Sequence, residues 1–336
     1  MSTVKRHQKT IALFLFVTAL LGCTDRRIPF TKVPVKINSS LPPQSLIEVA
    51  DVKYDQKDTT VWTMVNKGDS IFLTGAPFGF ARWEIGPNPE NPQLTFAVAT
   101  QIDLLKPRWI APLYASGALA VLGSYAFMSG TAGASVMDMR NTGSAKEALR
   151  YPPYDENATQ NSADDAFIWS AASFHPSRSV LYAFRQQDYV VTYTFDSSGL
   201  HLRSKDFYGG AGSTVCCVNA STVFNSSVYV AFRSRLVFFD FGGDLSLTNG
   251  REYEGLQANY VTSTARYLYV SHEPTTAASS SSVVYPAGIY VFDKQGNNVA
   301  YLPAHPKMFV VNDADTHVYA NEDDMSVKIY RIQWTR

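Results

Sequence analysis

Three stretches of this 336-residue chain place reactive side chains close together, and each also has a plainer reading. Asp313-Ala314-Asp315-Thr316-His317, followed by Glu322-Asp323-Asp324, offers carboxylates and an imidazole of the kind that hold a divalent cation. The first group reads as a turn and the second as a loop at the other end of one short strand. They are therefore expected on opposite faces, and no metal is assigned. Gly209-Gly210-Ala211-Gly212 could wrap a phosphate, but a strand follows it, so the helix N-terminus that would hold the anion is missing. Cys216 and Cys217 are adjacent. Neighbouring Cα atoms lie about 3.8 Å apart, below the usual disulfide span of about 4.4–6.8 Å. The pair reads either as two small buried hydrophobes in a strand or as a strained vicinal disulfide. A nucleophile elbow, a zinc-binding His pair at helical spacing and a calcium loop do not occur. No catalytic residue, metal or cofactor is assigned.

The remaining thiol, Cys23, has a fuller context. Lys5, Arg6 and Lys9 precede an uncharged run from Ile11 to Leu21, the arrangement of a secretory leader. As a helix that run would measure about 17 Å, short of a bilayer interior of roughly 30 Å, so it is an address and not a span. Leu20-Leu21-Gly22-Cys23 resembles the lipobox of bacterial lipoproteins, with Leu21 bulkier than the usual small residue. The resemblance covers residues 1–23. It implies that residues 1–22 are a cleaved signal peptide and that Cys23 carries the acyl chains, palmitate among them, which tie the protein to a bacterial envelope membrane. Thr24 stands where an Asp would mark inner-membrane retention, so the resemblance favours the outer membrane, on its periplasmic or its surface side. The alternative is an ordinary cleaved leader with an incidental cysteine.

Cleavage after Gly22 would remove three of the 29 Lys+Arg and none of the 29 Asp+Glu, leaving a slightly acidic chain. No long basic run follows, so nucleic-acid binding has no electrostatic footprint. A polybasic membrane patch is not visible either. Residues 23–44, with Pro29, Pro34, Pro42 and Pro43, read as the lipidated Cys and a tether. Extended at about 3.1 Å per residue, such a tether could reach roughly 60 Å, unless part of it packs along the domain.

From residue 45 to 336 the chain reads as a single all-β domain. Short runs rich in Tyr, Phe and Val replace any helical periodicity, and only 17% of residues are charged. An apolar strand recurs around Ile71, Leu119, Leu181, Tyr229, Leu268 and Val318, at intervals of roughly 40–60 residues. A second element, Phe-Asp-x-x-Gly, recurs at Phe195-Asp196, Phe239-Asp240 and Phe292-Asp293. There the Asp can cap a turn and the Gly can take a positive φ. This period, with four strands in each unit, predicts a β-propeller of six four-stranded blades. Seven remain possible if the gap around residues 140–170 hides another. The last repeat lacks its outer strand, and residues 45–50 are expected to supply it and close the ring.

His175-Pro176-Ser177-Arg178-Ser179-Val180-Leu181-Tyr182 resembles the repeat of lactonase-like and surface-layer-type bacterial propellers. That group includes enzymes and binding proteins alike, so the resemblance implies a fold and leaves the activity open.

In such a fold the second-to-third-strand loops and the inter-blade connections share one face. Residues 124–134, 150–166 and 271–287 read as long insertions on that face. They supply candidate binding residues Tyr125, Phe127, Tyr151, Tyr154, Glu273 and Tyr285. The expected function is a membrane-anchored protein that binds a protein or glycan partner through this loop-rich face. The alternatives are a lactonase-like hydrolase with a site at the central channel, or a structural envelope scaffold. Acidic and histidine side chains do not recur at equivalent innermost-strand positions, which favours binding over catalysis.

Overall fold

Strands squeezed between neighbours on both faces must be apolar throughout, and Val180-Leu181-Tyr182-Ala183-Phe184 is such a strand: every residue is buried. Its odd and even positions serve different partners. Leu181 and Ala183 pack with Ala120, Phe127 and Val136 on one side. Val180, Tyr182 and Phe184 pack with Val228, Val230 and Phe239 on the other.

The structure, a computed structural model, describes residues 26–335 apart from 54–59, 77–78, 99–117, 131–132, 142, 152–170, 185–188, 209–217, 233–234, 275–284 and 323–325. Three strands precede the repeats: β1 (Arg26–Arg27), β2 (Phe30–Pro34) and β3 (Ser45–Lys53). Blade 1 holds β4 (Thr60–Lys67), β5 (Ser70–Ala76), β6 (Gly79–Glu84) and β7 (Gln93–Val98). Blade 2 holds β8 (Leu119–Leu122), β9 (Tyr125–Gly130), β10 (Gly133–Asp138) and β11 (Lys146–Tyr151). Blade 3 holds β12 (Ala171–Phe174), β13 (Val180–Phe184), β14 (Tyr189–Asp196) and β15 (Gly199–Phe207). Blade 4 holds β16 (Val218–Phe224), β17 (Ser227–Phe232), β18 (Arg235–Phe241) and β19 (Leu247–Glu254). Blade 5 holds β20 (Ala258–Ser263), β21 (Leu268–His272), β22 (Gly288–Phe292) and β23 (Asn298–Leu302). Blade 6 holds β24 (Met308–Val311), β25 (His317–Asn321) and β26 (Ser326–Gln333), completed by β3.

Each blade is an antiparallel meander with its first strand innermost. The six first strands contact one another in a closed circuit, β24 touching β4. The chain forms a six-bladed β-propeller. Its apolar material lies between blades, in separate clusters for blades 1–2, 2–3, 3–4 and 6–1, and one shared by blades 4, 5 and 6.

Closure is as expected. β3 pairs antiparallel with β26 from Ser45 opposite Gln333 to Lys53 opposite Ser326. The seventh blade does not arise, because β8 and β12 contact each other directly and the six first strands complete the circuit. The phase of blade 2 needs correction. Leu119 lies in the innermost strand β8, whereas Ile71, Leu181, Tyr229, Leu268 and Val318 lie in second strands. Within the expected loop of residues 124–134, Tyr125–Gly130 is the second strand of the blade and Gly133 begins the third.

Residues 26–44 also differ from a free tether. β1 adds to the outer edge of β15 and β2 to that of β19, both parallel. The chain then crosses blade 5, where Lys36 O accepts from Asn298 N at 3.4 Å and Gln44 N donates to Tyr301 O at 2.8 Å. Pro29 and Pro34 are compatible with this course because an outermost strand needs donors on one side only. Ile28 and Val35 are buried, and the Phe30 ring meets Phe239 edge-on at 5.7 Å. Gly250 leaves room for that ring: a Cβ there would lie 2.7 Å from Phe30. Gly250→Val should therefore lift this strap while sparing the ring. Hydrogen exchange at residues 28–35 is expected to lose protection, with the main thermal transition retained.

The recurring turn element is correct in two of its three copies. Asp196 Oδ1 accepts from Ser198 N at 2.7 Å, and Asp293 Oδ1 from Gln295 N at 2.9 Å. In blade 4 the cap is Asp244, accepting from Ser246 N at 3.0 Å, and Asp240 instead bonds Ser227 and Arg251.

Candidate functional site

Small residues line the hub. Ala118, Ala120, Ala171, Ala172, Ser173, Ala220 and Ser221 leave a central cavity of about 490 Å³, which extends to Lys67, Ala265 and Asp313 at the strand ends. Its hydroxyls and amides tie blade to blade. Ser173 Oγ lies 2.8 Å from Ser221 Oγ, and Thr222 Oγ1 lies 2.7 Å from Ser263 Oγ. Ser263 gives its single proton to Val223 O at 3.0 Å, so Thr222 must be the donor to Ser263. Tyr260 spans from blade 5 to blade 1: its hydroxyl donates to Met64 O at 2.9 Å, and its ring lies 5.7 Å from Phe309. Burial pushes that phenol up from its ordinary pKa.

The two ends of the hub differ. On the face of short turns, Asn66 Nδ2 donates to Val311 O at 2.6 Å and lies 3.4 Å from Asp313 Oδ1. Desolvation, then the charges of Asp69 and Asp315, pushes the Asp313 carboxyl up, and Lys67 opposes this. On the opposite face Asn219 Nδ2 donates to both oxygens of Asn259, O and Oδ1, at 2.9 Å. Asn259 Nδ2 in turn lies 3.5 Å from Glu273 Oε2. This row of amides ends on the long loop of blade 5.

That loop leaves the blade on a fixed stem. His272 is buried, accepts from Gln257 N at Nδ1 (2.9 Å) and donates from Nε2 to Tyr285 O (3.2 Å). Tyr290 donates to Pro286 O at 2.7 Å and Tyr301 to Ala287 O at 2.6 Å. Three successive carbonyls are thus held by three side chains. Gly288 lets the strand start beneath the Tyr301 ring, since a Cβ there would lie 2.7 Å from Leu302 O.

Both His272 contacts suit the neutral imidazole, and burial holds its pKa below the ordinary 6.5. The unfolded chain therefore binds a proton that the native one refuses. Stability from this group is complete above pH 6.5 and declines as pH falls below that value toward the native pKa. His272→Gln is expected to flatten the fall in thermal midpoint between about pH 7 and 5. A slope equal to wild type would exclude this role.

Of the candidate binding residues, Phe127, Tyr125, Glu273 and Tyr285 have described side chains. Phe127 is fully buried between Phe174 at 4.8 Å and Phe195 at 4.9 Å, so it is core and not a contact residue. Tyr125 is half-buried on β9, its ring 5.2 Å from Phe195. Both sit on a strand and not on the loop expected to carry them. Tyr151 ends β11. Glu273 is exposed and Tyr285 half-buried, together on the blade 5 stem. Tyr154, Cys23, Gly209–Gly212 and the Cys216–Cys217 pair lie outside the described residues.

Sequence reasoning missed Asn219, Asn259, Tyr260 and His272. A signal was present: Val218-Asn219-Ala220 and Ala258-Asn259-Tyr260 put an amide at matching positions of consecutive innermost strands.

Two other groupings have structural work. Asp315 Oδ1 accepts from Thr264 Oγ1 at 2.6 Å and Tyr269 OH at 2.8 Å, and its Oδ2 accepts from Arg266 Nε at 2.6 Å. Among the described residues no group of three or more His, Cys, Asp or Glu is placed to hold a metal. Asp196, Ser198 and His201 form a Ser–His–Asp set in which Asp196 Oδ1 and Ser198 Oγ both face the same ring nitrogen, Nε2, at 3.1 and 2.9 Å. A relay needs them on opposite nitrogens, so this is an exposed turn cap.

No protein-family model and no curated protein matches the sequence. Solved structures do. One, from Bacteroides uniformis ATCC 8492 and assigned as a 6-phosphogluconolactonase, has a TM-score of 0.52 at 13% identity over 80% of this chain and 79% of its own. A chain of the Mitotic Checkpoint Complex also has a TM-score of 0.52, at 8% identity over 93% of this chain and 98% of its own. The likeness is one of fold. Neighbours this distant carry no chemistry across, and the resemblance seen at His175-Pro176-Ser177 holds at that level. In this chain that segment is a corner, with His175 Nδ1 accepting from Ser177 N at 3.2 Å and its ring 4.6 Å from Phe241.

Proposed function

We propose that the protein is a lipid-anchored protein of a bacterial envelope whose propeller binds a protein or glycan partner through its loop face. The observation that carries this reading is the blade 5 stem. Its side chains hold Tyr285 O, Pro286 O and Ala287 O in place, a prepared base on the loop side of blade 5. The fourth strands β7, β11 and β15 end on the same side of their meanders as the second strand of blade 5. Long connections on a rigid scaffold are where recognition concentrates. The anchor is supported by the leader-like residues 1–22 and by Cys23.

Two measurements test the reading. Palmitate fed to a Gram-negative host expressing the full chain should label wild type and not Cys23→Ser. Pull-down from that host's envelope with wild type, but not with Glu273→Lys/Tyr285→Ala, should recover a partner. A partner recovered equally by both would remove the blade 5 face from the proposal.

A further inference from the structure

Residues 26–44 contain four cations, Arg26, Arg27, Lys32 and Lys36, and no carboxylate. They are too dispersed in sequence to read as a basic run. The fold gathers them, because β1 and β2 lie along the outer edges of blades 3 and 4. Arg27 and Lys32 are exposed there, as are Arg203 and Lys205 on the adjoining strand β15, and Lys36 is exposed just beyond, where the strap meets blade 5. Arg26 fixes the row: its guanidinium lies 3.4 Å from the buried Asp206 carboxylate and also donates to Leu247 O. Glu252 on β19 is engaged by Arg235 at 3.5 Å, and Glu254 is exposed at the end of that strand.

We propose that this rim is a surface for anionic lipid headgroups and lays the propeller edge-on against the bilayer along blades 3 and 4. The proposal rests on the anchored reading only in that Cys23 precedes Arg26 by three residues of sequence. Basic residues held at an anionic membrane surface each strengthen the association about fivefold. The strap is already paired to the blades, so its cations meet the surface without an ordering cost on binding. The expected 60 Å spacer is thereby replaced by close contact.

The test uses a chain beginning at Thr24, which keeps every strand from Arg26 onward and has neither leader nor acyl group. Sedimentation with phosphatidylcholine vesicles, with and without about one quarter phosphatidylglycerol, should show at least about tenfold stronger partition to the anionic ones. The triple variant Arg27→Glu/Lys32→Glu/Lys36→Glu should lose on the order of 100-fold of that partition. Raising salt from about 50 to 300 mM should release the wild-type chain, a result that stands even if the variant proves unfolded. Equal partition to both vesicles, or a folded variant that binds like wild type, would overturn the proposal. Binding to heparin without binding to vesicles would overturn it too, assigning the rim to a soluble polyanion. Palmitate labelling reports separately on Cys23. A labelled chain with no vesicle preference keeps the anchor and loses the rim, and the reverse result keeps the rim and loses the anchor.

Discussion

Replacing Asp315 with Ala is expected to lower the unfolding free energy by about 3–5 kcal/mol, read as a fall in the urea midpoint. The carboxylate is 1% exposed and takes hydrogen bonds from Thr264, Tyr269 and Arg266, all on blade 5, while its own backbone belongs to blade 6. Trp334 Nε1 closes over it by donating to Asp315 O at 2.8 Å. Its removal leaves the Tyr269 hydroxyl and the Thr264 hydroxyl buried without an acceptor, which costs more than the bonds themselves contribute. Asp315 also has φ 56°, a conformation that Asn tolerates and Ala does not. Asp315→Asn should therefore cost distinctly less. Arg266→Met should cost less than Asp315→Ala, because the carboxylate it leaves keeps its bonds from Thr264 and Tyr269 and no hydroxyl loses its acceptor. If Asp315→Ala shifts the midpoint no more than Arg266→Met does, the buried carboxylate is not what joins these blades.

Removing the strand that closes the ring should be the other severe lesion. A chain beginning at Tyr54 lacks β3, and β26 then presents an unpaired edge from Ser326 to Gln333. Losing a ladder of this length, at about 0.5–1.5 kcal/mol per hydrogen bond, is comparable with the whole stability of a typical domain, about 5–15 kcal/mol. Val49, Ala50 and Val52 would also no longer cover Val327 and Ile329. The expected result is aggregation, with no cooperative melting transition by circular dichroism. A chain beginning at Gln44 keeps β3 and loses only the strap, so it should melt cooperatively at a lower temperature. Similar melting of the two chains would show that the ring holds without its borrowed strand.

Some of this architecture could be read from residues alone, and the reasons are specific. Second strands such as Val228-Tyr229-Val230-Ala231 are buried on both faces, so they are apolar at every position and stand out against polar turns. The closing strand was legible because the last repeat stopped one strand short. Blade 2 was misread because Ala118-Leu119-Ala120-Val121, an innermost strand, has the composition of a second strand. Its true second strand, Tyr125-Ala126-Phe127-Met128-Ser129-Gly130, ends in Ser and Gly and passes for a loop. Phe127 and Tyr125 became candidate contact residues through that one slip. The strap was hidden by its prolines, which argue for an extended spacer unless an outer strand edge is known to be available. The hub was harder still. Ser173, Ser221, Asn219 and Asn259 matter through pairing across blades, and that pairing needs the ring to be closed before it can be seen.

Because β3 precedes β4 to β25 in the chain and its partner β26 follows them, the two can meet only after every intervening blade has been made. During synthesis β3 must wait, its hydrogen-bonding groups met by water or by a holdase, until β26 arrives. Completion of the wheel is then a single late event. A chain interrupted before residue 326 would be left open, and quality-control proteases could recognise it by that gap.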